Sequence, residues 1–163
     1  MSSKNPLSPS EALEKVQKLC SAEEKCCQDV RKKLFNMGVN SANAEKIINH
    51  LTAEKFIDEW RYAKMFASGK FKNNKWGKIK IRYELLRKNI PENIIEDALR
   101  RIEPVEYFQI LKKELQKKQK SVSANNMAET KAKLYRFANS KGFENDVISK
   151  VIEEIAEDNF NTQ

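Results

Sequence analysis

The chain has 163 residues, of which 40% are hydrophobic and 33% charged, a balance that suits one ordinary domain or an array of small units with a thin core. Four Gly and four Pro leave little material for hairpin turns, which favours helices before any pattern is read. No run approaches the roughly 18 apolar residues of a membrane span, and residues 1–9, MSSKNPLSP, hold no apolar core for a secretory signal, so a cytoplasmic protein without membrane contact is expected.

The net charge of +8 is concentrated. Residues 64–88 carry nine basic side chains (Lys64, Lys70, Lys72, Lys75, Lys78, Lys80, Arg82, Arg87, Lys88) against Glu84 alone, an excess equal to that of the whole chain. A second basic stretch, Lys112 to Lys141, has nine cations against two acids and is masked by an acidic end, residues 142–163. A charge run is usually a solvated face, but this concentration points to a polyanionic partner.

In chain order, residues 1–8 are expected to be disordered, and amphipathic segments follow at about 9–20, 23–38 and 41–55. The first carries Ala12, Leu13, Val16 and Leu19 on one face. Cys20, Cys26 and Cys27 lie here; an odd number without a C-x-x-C reads as reduced, partly buried thiols. His50, the only histidine, has no partner motif, and with the three cysteines it matches no zinc spacing.

The next segments, about 58–72, 75–89 and 91–102, contain an ambiguity. From Ile79 to Leu85 apolar and polar residues alternate strictly, as in a half-buried strand. An internal repeat decides for a helix. VRKKLFNMGV (30–39) aligns with IRYELLRKNI (81–90) at an offset of 51, and the register continues through Ala44, Ile47, Ile48 and Leu51 against Ile95, Ala98, Leu99 and Ile102. A third copy follows at an offset of 53, with Leu134, Ala138, Gly142 and Phe143 against Ile81, Leu85, Asn89 and Ile90. Shared spacings of three and four are helical.

Gly38, Asn89 and Gly142 then supply the left-handed residue that ends each second helix, and Val39, Ile90 or Phe143 packs back on the corner. Around the helix near 79–90, Trp76, Ile79, Tyr83, Leu86 and Ile90 form one apolar stripe, and Ile81 and Leu85 a second. That predicts a helix wedged between neighbours, with Lys80, Glu84, Arg87 and Lys88 outward.

The last segments are about 104–120, with Phe108, Leu111 and Leu115 on its apolar face, 126–141 and 144–157. Residues 159–163 are expected to form a disordered tail. The predicted fold is all-α: three tandem three-helix, helix-turn-helix-like repeats (9–56, 57–103, 104–158) in an elongated, curved array. Units of about 50 residues bury little alone, so neighbours must share a core.

No catalytic constellation is visible. The four glycines, at 38, 69, 77 and 142, make no phosphate loop, and the acids of the third helices (Glu92, Glu96, Asp97; Glu153, Glu154, Glu157, Asp158) read as solvated faces. A non-enzyme without cofactor or metal is expected.

Ile57-Asp58 with Arg61, Tyr62, Ala63 and Phe66, then Trp76-Gly77, Lys80-Ile81-Arg82, Glu84-Leu85 and Lys88-x-Ile90, together with KAKLYRFANSKGF in the third copy, resemble the RecX family, bacterial modulators of the RecA recombinase. The resemblance covers about residues 20–157. The family often has Gly where Lys75 and Asn89 stand and Arg where Lys80 stands, and the N-terminal copy is the least typical part. The resemblance implies three tandem three-helix repeats and a role in DNA repair, homologous recombination and the SOS response. It also implies a protein that lies along the groove of the RecA–DNA filament and limits recombinase, ATPase and co-protease activity.

The candidate contacts to DNA or RecA are Arg61, Lys72, Lys75, Trp76, Lys78, Lys80, Arg82, Arg87 and Lys88, with Lys131, Lys133 and Arg136 as a second set; Asn73 and Asn74 can add hydrogen bonds. Such contacts suit single- or double-stranded DNA without sequence choice. Trp76 has two readings: packing against the first helix of its unit, favoured by its place on the Ile79–Tyr83 stripe, or stacking on a base. Tyr62 is expected to be mostly buried and Arg61 near the surface. The alternative function is a stand-alone helix-turn-helix-like DNA-binding protein or transcriptional regulator. Such proteins pair on half-sites; nothing here looks like a dimerisation element, and a monomer is expected.

Overall fold

In the computed structural model, residues 5–162 are described, and among them there are nine helices and no strand. These are α1 Pro9–Ala22, α2 Cys27–Asn36, α3 Ser41–Ala53, α4 Glu59–Asn74, α5 Lys78–Arg87, α6 Glu92–Arg100, α7 Pro104–Ser121, α8 Met127–Ser140 and α9 Asn145–Asn161. The all-α, three-helix repeat is therefore present, and the alternating stretch at 79–85 is helical.

The repeat is clearest at the corners. Gly38, Asn89 and Gly142 have φ of 78°, 56° and 90°. In each copy the N–H of the next residue reaches back across the last turn: Val39 to Leu34 O, Ile90 to Leu85 O, Phe143 to Ala138 O, at 3.1–3.3 Å. This is a Schellman ending, and its apolar partners Val39, Ile90 and Phe143 are buried.

Caps fix the helix starts. Ser8 accepts from Glu11 N–H while Glu11 reaches back to Ser8 N–H, with Pro9 at the first position of α1. Asn40 and Asn126 cap α3 and α8 through Asn43 N–H and Glu129 N–H. α2 starts at Cys27, later than the expected residue 23, because Glu23 is extended and the Asp29 carboxylate caps Cys26 N–H instead.

Two compact units are formed, Met1–Met65 with Leu85–Ile95, and Phe66–Glu84 with Glu96–Gln163; α4, α5 and α6 are each divided between them. In the first unit α1, α2 and α3 pack pairwise. Ala12, Val16, Val30, Leu34, Ile47, Ile48, Leu51 and Ile57 form the core, closed by Leu7 and Phe56. Residues 1–4 of the expected disordered start lie outside the described residues. Residues 5–8 are placed, with Leu7 N–H bonded to Met37 O.

In the second unit α7, α8 and α9 pack pairwise and bury Leu111, Leu115, Leu134, Ala138, Ile148, Val151 and Ile155, with Phe71 and Ile81 also buried. The face of α7 runs through Tyr107, Leu111 and Leu115, so Tyr107 is buried where the sequence reading placed Phe108. α9 continues to Asn161, past the expected end at 157, tied down by Lys112 bonding Glu154 (3.1 Å) and Asp158 (2.7 Å). Gln163 lies outside the described residues.

Candidate nucleic-acid interface

The basic segment runs from the last turns of α4 into α5, and its centre belongs to the second unit. Phe71, buried at the end of α4, meets the Tyr107 ring at 5.6 Å, and Tyr107 meets Phe143 at 5.1 Å. α4 ends with Lys75 in the left-handed region, φ 56°, its N–H on Phe71 O, and its ammonium turned back to Lys72 O. Gly77 then lies against Gly142 so closely that a Cβ on Gly77 would be 2.2 Å from Gly142 O. Only glycine fits there.

This contact gives α5 its N-terminal cap. Gly77 N–H donates to Lys141 O (2.8 Å), Lys78 N–H to the Tyr107 hydroxyl (3.0 Å) and Ile79 N–H to Gly142 O (2.9 Å). The Tyr107 hydroxyl in turn donates to Glu144 (2.9 Å). Burial, outweighing the Lys78 N–H bond, pushes its pKa far above the usual tyrosine range, so it keeps its proton. These backbone donors at the head of α5 are satisfied from within, so anion binding on this helix falls to side chains rather than to its N-terminus.

Trp76 is half-buried, with the Lys70 ammonium 4.9 Å and the Lys80 ammonium 4.6 Å from its ring. Lys78 lies 5.0 Å from the Tyr107 ring. Each such contact adds about 0.5–1 kcal/mol at an exposed site. Lys70 belongs to α4 and Lys80 to α5, so the Trp76 ring lies between ammonium groups of both helices.

The expected wedge is not observed. Ile81 and Leu85 are fully buried, but Ile79, Tyr83 and Leu86 are 52%, 60% and 45% exposed. The close approach of Gly77 to Gly142 and the corner at Asn89–Ile90 set the roll of α5, and only one of its two apolar stripes faces inward.

Arg61, Arg82 and Lys88 each pair with a carboxylate within the protein. Arg61 binds Glu24, with Asp58 at 3.8 Å and Lys55 O at 3.2 Å, while its neighbour Tyr62 is buried. Arg82 binds Glu96. Lys88 binds Asp29 at 2.7 Å. Lys72 and Arg87 are exposed, and Lys75, Lys78 and Lys80 are half-exposed. In the third copy Lys131 and Arg136 are exposed, and Lys133 bonds Glu129 (3.1 Å) and Ser123 O. Tyr107, Lys70 and Lys118, whose ammonium stands 5.1 Å from the Phe137 ring, belong to these arrangements and were not among the candidate contacts. The 107-111-115 spacing is the signal that could have found the first.

His50 is exposed, and Cys20, Cys26 and Cys27 are free thiols. Burial is the main cause that pushes Cys26 and Cys27 up to about 11, which leaves them protonated. Among the described residues no three His, Cys, Asp or Glu side chains are grouped to hold a metal, and no helix is long and apolar enough to cross a membrane.

The family model for the second three-helix domain of RecX matches residues 58–99, and that for the third matches residues 105–152, together more than half of the chain. The chain is 36% identical over 118 residues to a regulatory protein RecX of Clostridium tetani, covering 71% of this chain but 54% of that protein; it spans about half the length of that relative. It is 32% identical over 132 residues to a regulatory protein RecX of Vibrio parahaemolyticus, covering 80% and 83%. A crystal structure of RecX from Lactobacillus salivarius superposes with a TM-score of 0.83 at 22% identity, covering 91% of this chain and 96% of that one. A second regulatory protein RecX superposes at 0.82 and 23%, covering 89% and 71%. At these identities the two structures speak for the fold.

Proposed function

This chain belongs to the RecX family of regulatory proteins, and from that premise we propose that it binds filaments of the RecA recombinase together with DNA and restrains their recombinase, ATPase and co-protease activities. The observation that carries the DNA part is the basic segment 64–88. It accounts for the chain's whole excess of charge, falls wholly within the matched second domain, and is seated on α4 and α5 by internal hydrogen bonds. Phosphate contacts come from Lys72, Lys75, Lys78 and Lys80, with Trp76 beside them; such contacts give affinity and register without sequence choice. Arg61, Arg82 and Lys88 act mainly in holding the protein together, since each already has a carboxylate. Lys131 and Arg136 offer a second set of cations, with Lys133 beside them held by Glu129, so the chain meets an extended, periodic partner at more than one place. In this reading the protein works as a cytoplasmic monomer with no catalytic chemistry of its own.

The test is to add the purified protein to the host's own recombinase on single-stranded DNA and follow ATP hydrolysis and strand exchange. Both are expected to fall in a concentration-dependent way. A sequence-specific operator footprint with no effect on the recombinase would establish the transcriptional regulator instead.

A further inference from the structure

We infer that the second unit carries a further nucleic-acid site, a groove in the third copy that seats one nucleotide of a single strand, its base against Phe137 and its phosphate on Arg136 and Lys118. The groove has a volume of about 470 Å³ and lies between the end of α7, the following loop and one face of α8, lined chiefly by Lys118, Val122, Ser123, Lys133, Arg136 and Phe137. Its floor is apolar and aromatic and its rim cationic. This combination takes the two halves of a nucleotide, a π-faced base and an anionic phosphate.

The charges around it are accounted for. Lys133 is held by Glu129 and by Ser123 O, so it fixes the loop. Glu129 and the carbonyl end of α7 oppose an anion. Against them stand Lys118 and Lys141, at 5.1 and 6.0 Å from the Phe137 ring, and exposed Arg136. Arginine suits a phosphate through its paired donors.

The repeat argues that these residues are not there for packing. At the positions equivalent to Arg136 and Phe137 the second copy has Tyr83 and Glu84 and the first has Lys32 and Lys33, while the core positions beside them, Leu134 and Ala138, stay apolar and buried in every copy. An aromatic ring in a shallow groove reaches only an unstacked base, which selects a single strand over a duplex. The site deepens the DNA-binding reading above and rests on it only in taking DNA as the ligand.

The test uses the full chain and an oligo-deoxythymidine carrying 5-iodo-deoxyuridine. Irradiation is expected to crosslink Phe137, identified by mass spectrometry. Phe137→Leu, which keeps an apolar side chain, is expected to lower affinity about tenfold without altering the salt slope. Arg136→Gln is expected to flatten that slope by about 0.7. Circular dichroism confirms that both variants fold. Crosslinks confined to Trp76, or a Phe137→Leu protein that binds like wild type, would overturn the inference. Equal affinity for thymidine monophosphate and for the oligonucleotide would also overturn it, in favour of a free nucleotide. The Lys75, Lys78 and Lys80 to Glu protein separates the two readings. If it loses binding while the groove variants do not, the groove is refuted and the ridge on α5 stands.

Discussion

Arg82 on α5 binds Glu96 on α6, and 51 residues earlier Arg31 on α2 binds Glu45 on α3 in the same way, at 2.6 Å. The pair recurs at the repeat offset, so it is part of how the second and third helices of a copy are joined. The third copy has Tyr135 and Ser149 at these positions and does without it. Arg82 is therefore first a structural cation. Partly exposed pairs contribute about 0.5–1 kcal/mol, and a double-mutant cycle of Arg82→Gln and Glu96→Gln, followed by urea unfolding, is expected to return a coupling of that size. Arg82→Gln is also expected to leave the salt slope of DNA binding unchanged. A slope flattened by the 0.7–0.9 or so of a true phosphate contact would return Arg82 to the interface.

Gly77 and Gly142 set how the basic segment is held. A Cβ on Gly77 would sit 2.2 Å from Gly142 O, and one on Gly142 would sit 2.3 Å from Lys80 Cβ in a residue at φ 90°. Gly77→Ala is expected to cost about 1–3 kcal/mol from overpacking and about 1 kcal/mol more from the strained bond to Lys141 O. Gly69→Ala is the control. It lies within α4 with nothing inside 4 Å of a new Cβ, and is expected to stabilise by about 0.5–1 kcal/mol. Urea midpoints moving in opposite directions for the two variants would bear this out, and equal midpoints would refute it.

The contrast between what the sequence shows and what it hides follows from the same residues. The corners at Gly38, Asn89 and Gly142 are legible because a left-handed residue followed by an apolar one is a local signal, repeated three times. The roll of α5 is not legible. Ile79, Tyr83 and Leu86 are as apolar as Ile81 and Leu85, and the choice between the stripes is made by contacts with Lys141, Gly142 and Tyr107, some 30 to 65 residues away. The ion pairs of Arg61 and Lys88, reaching back 37 and 59 residues, are hidden for the same reason. Composition locates the charge; only tertiary contacts say which cations are already committed.

Asp29 gives the first unit a pH dependence. Burial opposes its charge, but hydrogen bonds from the Lys88 ammonium and from Cys26 bring its pKa below the usual carboxylate value. A carboxyl with a lower pKa folded than unfolded adds stability above its unfolded value, near 3.9, and that stability is lost as pH falls through the folded value. Lys88→Met leaves the carboxylate half-buried without its cation, so the pKa rises, the acid limb of the stability curve moves to higher pH, and stability at neutral pH falls. Urea unfolding between about pH 3 and pH 7 measures it. Superimposable acid limbs would show that the pair contributes nothing.

Lys75 stands at φ 56°, a conformation that costs an L-residue about 1–2 kcal/mol and glycine almost nothing. Lys75→Gly and Lys75→Ala remove the same charge and the same bond to Lys72 O, so their difference isolates the backbone. The glycine variant is expected to be more stable than the alanine variant by about 0.5–1 kcal/mol after its own loss of chain entropy. Equal melting temperatures would mean that the loop between α4 and α5 relaxes to another conformation.

Charge reversal at Lys75, Lys78 and Lys80 tests the ridge itself. Within the protein these three side chains hold little: Lys75 bonds Lys72 O, and the ammonium groups of Lys78 and Lys80 stand beside Tyr107 and Trp76. The backbone bond from residue 78 to the Tyr107 hydroxyl survives any side-chain change, and acids in the first turn of α5 suit its dipole. Helical content should therefore be preserved and the melting temperature lowered only slightly. DNA binding, by contrast, should be abolished by glutamates, because three attractive charges become repulsive. The milder triple glutamine variant should still bind, with its log–log salt slope flattened by about 0.7–0.9 for each phosphate contact removed. In the recombinase assay the glutamate protein should lose most of its restraint of ATP hydrolysis. A triple glutamine protein with the wild-type slope would show that the phosphates are met elsewhere, and the charge of α5 would then have to face protein rather than DNA.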